Sequence, residues 1–281
     1  MSTAPTPPPQ QAPAAPAAAW QQPGGAYTSP IPITRTHLGH ALTSEWTKIK
    51  SVRSTMWTLG TFLALVIGLG LLVAGQTSSN DYVDTPYTIP AFFGLVLGQI
   101  CLITLGVLVI SSEYGTGMIR TTLTASPARW RVLAAKFIIF FAVAFTVSVL
   151  ATGFVGVVTA GMHGGASSEP WFGTVFKGSL YVSLIGVLSV AVGAMLRHSA
   201  GAITTMLGAV LVPSIMPAFL MISPSTRDFG ETMADYAAPN ALAKIFMLDG
   251  ESSGTPQLVF LIVLTVAAVA GAFALLDRRD V

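Results

Sequence analysis

A chain of 281 residues that is 52% hydrophobic and only 9% charged falls outside the soluble range, where about a quarter of residues carry charge. Water is not its main solvent. A net charge of +2 does not make it a nucleic-acid binder, because so few basic residues cannot track a phosphate backbone, and the lone Cys101, set in an apolar run, excludes a disulfide framework or cysteine metal site within one chain.

Met1 to Ile33 hold nine prolines among Ala, Gln, Gly and Ser, with no positive charge and no apolar core. They read as a disordered cytoplasmic tail, not as a secretory signal. Residues 1–35 are therefore set apart from a membrane domain over 36–281. From Thr36 to Val52 the residues Leu38, Ala41, Leu42, Trp46, Ile49 and Val52 recur at helical spacing. The other face carries His40, Thr47, Lys48 and Lys50. This pattern predicts a helix in the headgroup plane, with Trp46, Lys48, Lys50 and Arg53 as its interfacial anchor.

Six stretches reach the length of roughly 20 apolar residues that a bilayer requires: Met56 to Ala74, Ala91 to Ile110, Phe137 to Ala160, Gly178 to Leu196, Ala202 to Ile222 and Gln257 to Leu276. None of them contains Asp, Glu, Lys, Arg or His. With both termini inside, Arg35, Lys48, Lys50, Arg53, Arg120, Arg129, Arg131, Lys136, Arg197, Arg278 and Arg279 are cytoplasmic, and only Lys177, Arg227 and Lys244 lie outside. That distribution favours the N-in, C-in orientation. The expected fold is all-α, with six transmembrane helices in a multi-pass arrangement.

Between the second and third spans, Gly115 and Gly117 should stop the outgoing helix. Met118 to Thr124 can then form a short helix, and Ser126 with Pro127 suits the start of the next one. By spacing alone, a loop that only fixes topology is favoured over one with a role of its own. Gly94 and Gly98 permit close helix contact within the second span, where Gln99 is the main strongly polar side chain, suited either to helix bonding or to contact with a substrate. Pro213 and Pro217 each remove a backbone donor from the fifth span. Their bend is either a plain structural kink or part of a substrate path. Ser223 to Pro256 should form two short amphipathic helices parted near Pro239 on the outer side.

Several chemistries leave no trace. There is no P-loop of the form GxxxxGK followed by Ser or Thr, so no nucleotide-hydrolysing site is recognisable in this chain. His37, His40, His163 and His198 are scattered without metal-ligand spacing, and no GxSxG elbow occurs. Spans without charge also argue against a gradient-driven carrier, which usually buries acids or histidines.

Glu113-Tyr114, then Gly117-Met118-Ile119-Arg120-Thr121-Thr122, then Arg129 to Lys136, resemble the cytoplasmic segment of bacterial permeases of the type-2 ATP-binding-cassette (exporter) family. Ser44-Glu45-Trp46-Thr47-Lys48, with Arg53 beyond, is similar to that family's N-terminal helix. The resemblance implies a non-enzymatic permease subunit in the plasma membrane of a bacterial cell. It would pair with a second copy or a related permease and be powered by a separate ABC ATPase subunit that binds ATP-Mg. It further implies that Glu113, Tyr114, Gly117, Arg120 and Thr121 contact that ATPase. A membrane scaffold that transports nothing and a gradient-driven carrier are the alternatives.

Overall fold

The structure, a computed structural model of the chain, describes residues 37–78, 82, 86–125, 128–164, 171–248 and 253–278. The proline-rich segment lies outside them. Among the described residues the fold is helical throughout, in the order α1 (Leu38–Ser51), α2 (Arg53–Ala74), α3 (Ile89–Thr116), α4 (Met118–Ala125), α5 (Arg129–His163), α6 (Phe172–Leu196), α7 (Ser199–Leu220), α8 (Arg227–Tyr236), α9 (Ala238–Ile245) and α10 (Thr255–Arg278). Six of these, α2, α3, α5, α6, α7 and α10, are long and apolar enough to cross a membrane. The shortest, at 22 residues, measure about 33 Å, against a hydrocarbon core of about 30 Å.

α3 and α6 form the inner pair. α2 packs on α3 and α5, α10 packs on α6, and α7 lies across α3 and α6. Glycine sets the closest approaches. A Cβ on Gly94 would run into the Val66 backbone of α2, and one on Gly98 would lie 3.0 Å from the Phe62 ring, so the expected close contact at this pair is realised between α2 and α3. A Cβ on Gly106 would stand 2.5 Å from the Gly186 carbonyl oxygen, which joins α3 to α6 nearly backbone to backbone.

Several helix ends fall beyond the expected span limits, for a common reason. A hydropathy window closes where charge begins, whereas an α-helix continues until its backbone is turned. α3 therefore runs through Glu113 and Gly115 and ends at Gly117, whose φ of 73° is the left-handed conformation glycine tolerates. Gly115 sits inside the helix and does not stop it. α5 starts at Arg129 and so includes Lys136; its N-cap is Ala128, which makes no side-chain bond, while the expected start residues Ser126 and Pro127 lie outside the described residues. α6 begins at Phe172 and takes in Lys177. α7 passes helically through both Pro213 and Pro217 and ends at Leu220, short of Ile222.

The segment after α7 forms the two expected short helices. They part at Ala237, and Pro239 occupies the first turn of α9, where its missing N–H costs nothing. α9 does not float on the bundle: Leu242, Ile245 and Phe246 are buried, and the Phe246 ring fills the notch left by Gly178, where a Cβ would come within 2.6 Å of it.

Candidate functional site

The polar centre of the described chain lies where the C-terminal end of α3, the start of α5 and α1 meet. α1 packs mainly on α5. The half-buried Leu38, Ala41 and Leu42 and the buried Ile49 lie on the inward face much as the periodicity predicts, but Glu45 is also turned inward and Trp46 and Val52 point outward. α1 ends at Val52, whose extended backbone (φ −83°, ψ 112°) turns the chain into α2.

Four charges close on one another here. The ammonium of Lys136, 1% exposed, donates to Glu113 Oε1 at 2.6 Å, to Glu45 Oε2 at 2.9 Å and to the Val109 carbonyl at 3.3 Å. All three of its protons are thus engaged. Lys48 donates to Glu45 Oε1 at 2.7 Å and to Glu113 Oε1 at 2.8 Å. Burial opposes the Lys48 charge, but the two carboxylates more than offset that cost and hold its ammonium above the ordinary lysine value. The cluster is formally neutral, which is the condition for burying charge at all. One polar atom is left over: Glu113 Oε2 is buried without a hydrogen-bond partner.

Buried charge is present just past the apolar limits of the spans, and Lys48, one of the expected interfacial anchor residues, gives two of its bonds to Glu45 and Glu113. Lys50 and Trp46 stay at the surface, with the Lys50 ammonium 5.3 Å from the Trp46 ring centre, and Arg53 is exposed at the start of α2. Glu45, part of the resembling segment, is a site residue that the sequence reading does not single out; the signal for it is its position four residues before Ile49, on the same helical face.

The residues named for partner contact divide in two. Glu113 faces inward. Tyr114 is half-buried beneath the Arg197 guanidinium, 4.9 Å from its ring centre, and Gly117 makes the turn. Arg120 and Thr121 are exposed on α4, with the Thr121 hydroxyl donating to the Met118 carbonyl at 2.8 Å. α4 rests on α3 and α5, and its Ile119 and Leu123 line a small cleft together with Ile110, Tyr114, Val132 and Leu133. Its other side presents Met118, Arg120, Thr121 and Thr124 to the exterior.

Two grooves remain. One, of about 330 Å³, runs between α6, α7, α8 and α10 and is lined by Tyr181, Met206, Pro213, Met233, Tyr236 and Phe260 among others. Pro213 borders this groove, whereas Pro217 is buried in α7 outside it. Gln99 lies in neither groove; it is buried, its amide donates to Val96 of its own helix at 2.9 Å and its Oε1 has no partner. The second groove, of about 310 Å³, lies between α1, α2 and the end of α3, beside Lys48 and Glu113. Among the described residues no three His, Cys, Asp or Glu side chains gather as a metal site requires.

No known protein-family model matches the chain, and a search of curated proteins found no match either.

Proposed function

We propose that this chain is the membrane-spanning permease subunit of an ATP-driven exporter of the type-2 ATP-binding-cassette kind, powered by a separate ATPase subunit. The observation that carries the reading is α4, a short helix held between two spans by Ile119 and Leu123, with Arg120, Thr121 and Thr124 turned outward. A helix so placed can receive a push from a soluble partner and pass it to the ends of α3 and α5. The charge cluster extends that link to α1, since Glu45 and Lys48 join the same network. Partner contact accordingly falls to Arg120 and Thr121, while Glu113, Tyr114 and Gly117 hold the receiving surface in shape.

In this reading the α1 and α4 end faces the cytoplasm of a bacterial cell, because Lys and Arg concentrate there, and both termini are cytoplasmic. Six spans make half of a transporter, so a second copy or a related permease completes it. ATP-Mg is bound and hydrolysed by the partner subunit. The groove along α7 and α10, bordered by Pro213, is the candidate substrate contact.

The test is affinity purification of the detergent-solubilised chain, with mass spectrometry and an ATPase assay on the proteins retained. A stoichiometric P-loop subunit that is lost from Arg120→Glu protein supports the proposal. Reproducible absence of any ATPase would direct the function to a scaffold or a gradient-driven carrier.

A further inference from the structure

The groove beside the charge cluster carries two unused valences of opposite kind. Lys48 has three ammonium protons and two protein acceptors, Glu45 Oε1 and Glu113 Oε1. Glu113 takes both lysines on Oε1 and leaves Oε2 buried with no donor. Both residues line the groove. A site with one free donor and one free acceptor, flanked by a lysine and a glutamate, suits a zwitterion whose anionic group meets Lys48 and whose N–H-bearing cation meets Glu113.

The remaining walls decide what kind of zwitterion. Ile49, Val52, Leu105, Leu108, Val109 and Met118 line the groove. Its volume of about 310 Å³ is roughly ten times the 30 Å³ share of a water molecule, so solvent alone would leave most of this apolar surface wetted. The groove opens beside the last turns of α3, whose 28 residues reach about 42 Å and so outrun a hydrocarbon core of about 30 Å, which sets this end at headgroup level when the helix spans a bilayer. Thr55, Thr58, Ser112 and Thr116 supply hydroxyls around it.

We infer that this groove is a binding site for a phospholipid with a primary-amine headgroup, the ethanolamine class. Its phosphate is held at Lys48, its ammonium at Glu113 Oε2, and the upper part of an acyl chain lies against Leu105 and Leu108. The lipid supplies the N–H donor that Glu113 Oε2 lacks and ties α1 to α2 and α3. This inference needs the six-helix membrane architecture only, and it stands or falls independently of the exporter proposal.

The experiment uses the full chain purified in lipid-free detergent and follows thermal unfolding as lipids are added. Phosphatidylethanolamine should raise the midpoint by several degrees. Phosphatidylcholine, whose trimethylated nitrogen has no N–H, and phosphatidylglycerol, which has no cation, should give less than half that shift. Leu108→Trp fills the groove without touching the four charges and should abolish the preference for ethanolamine while leaving the lipid-free midpoint near wild type; Val52→Trp does the same from α1 should the first variant fold poorly. Equal shifts from all three lipids, or an ethanolamine preference that survives in the folded groove variant, would overturn the inference. A full shift from soluble glycerophosphoethanolamine would overturn it as a lipid site.

Discussion

Lys136 of α5 and Glu113 of α3 stand 2.6 Å apart at the heart of a cluster whose other members come from α1. Removing one partner of such a set costs more than the set itself contributes, because the surviving charge stays buried. Lys136→Met leaves Glu45 and Glu113 facing each other with Lys48 as their shared cation. The expected loss is about 3 to 5 kcal/mol of stability, read from unfolding of the purified protein. Lys136→Met combined with Glu113→Gln should recover part of that loss. Additive losses would show that the two side chains act separately.

Glycine contacts give a graded series. Gly94→Ala should destabilise the fold by about 1 to 3 kcal/mol, since the added methyl meets the Val66 backbone, which cannot rotate away. Gly98→Ala should cost less, because its obstacle is the edge of the Phe62 ring. At Gly208 nothing lies within 4 Å of the added methyl, so Gly208→Ala should be neutral or slightly stabilising through helix propensity. Thermal midpoints of the three variants check the order, and a destabilised Gly208→Ala protein would contradict it.

The Lys48 ammonium links stability to alkaline pH. Its value in the folded protein lies above that of the unfolded chain, so its contribution is complete below the ordinary lysine value of about 10.4 and disappears as pH rises through the folded value. The unfolding midpoint should therefore fall more steeply with pH above that point in the native protein than in Lys48→Met. Parallel curves would show that Lys48 carries no such linkage.

Substitutions around α4 should separate shape from docking. Arg120→Ala and Thr121→Ala alter exposed side chains and should change unfolding by less than about 0.5 kcal/mol, yet weaken retention of the ATPase. Gly117→Ala forces a side chain into the left-handed conformation and should cost about 1 kcal/mol of stability. A stability loss at Arg120 as large as that at Gly117 would mean that α4 is held by its outer face. Co-purification and thermal unfolding on the same preparations make the comparison.

The spans could be read from composition because long apolar runs have few alternatives in a chain so poor in charge. The short α4 could be read because Gly117 needs a conformation other residues avoid, and the break before α9 because proline belongs in a first helical turn. The charge cluster could not. Glu45, Glu113 and Lys136 are far apart in sequence, and pairing across three helices leaves no period to detect. Glu45 and Lys136 have the sequence signature of ordinary surface charges and Glu113 that of a partner contact, and only packing reveals that they neutralise one another. Gln99 was ambiguous for a similar reason: an amide that bonds its own helix and one that faces a cavity have the same sequence signature.

The seam at Gly106 and Gly186 bears on how force could travel. With backbones this close and the Phe140 ring pressed against Gly186, α3 and α6 have no side-chain layer between them to absorb sliding. α3 holds Glu113 near one end and Phe92 near the other, with the Phe92 and Phe246 ring centres 6.3 Å apart. Under the exporter proposal α3 would serve as a push rod, carrying a displacement of the ionic knot toward α9, and α7, the span with the smallest buried share among the six, would be the one freest to shift.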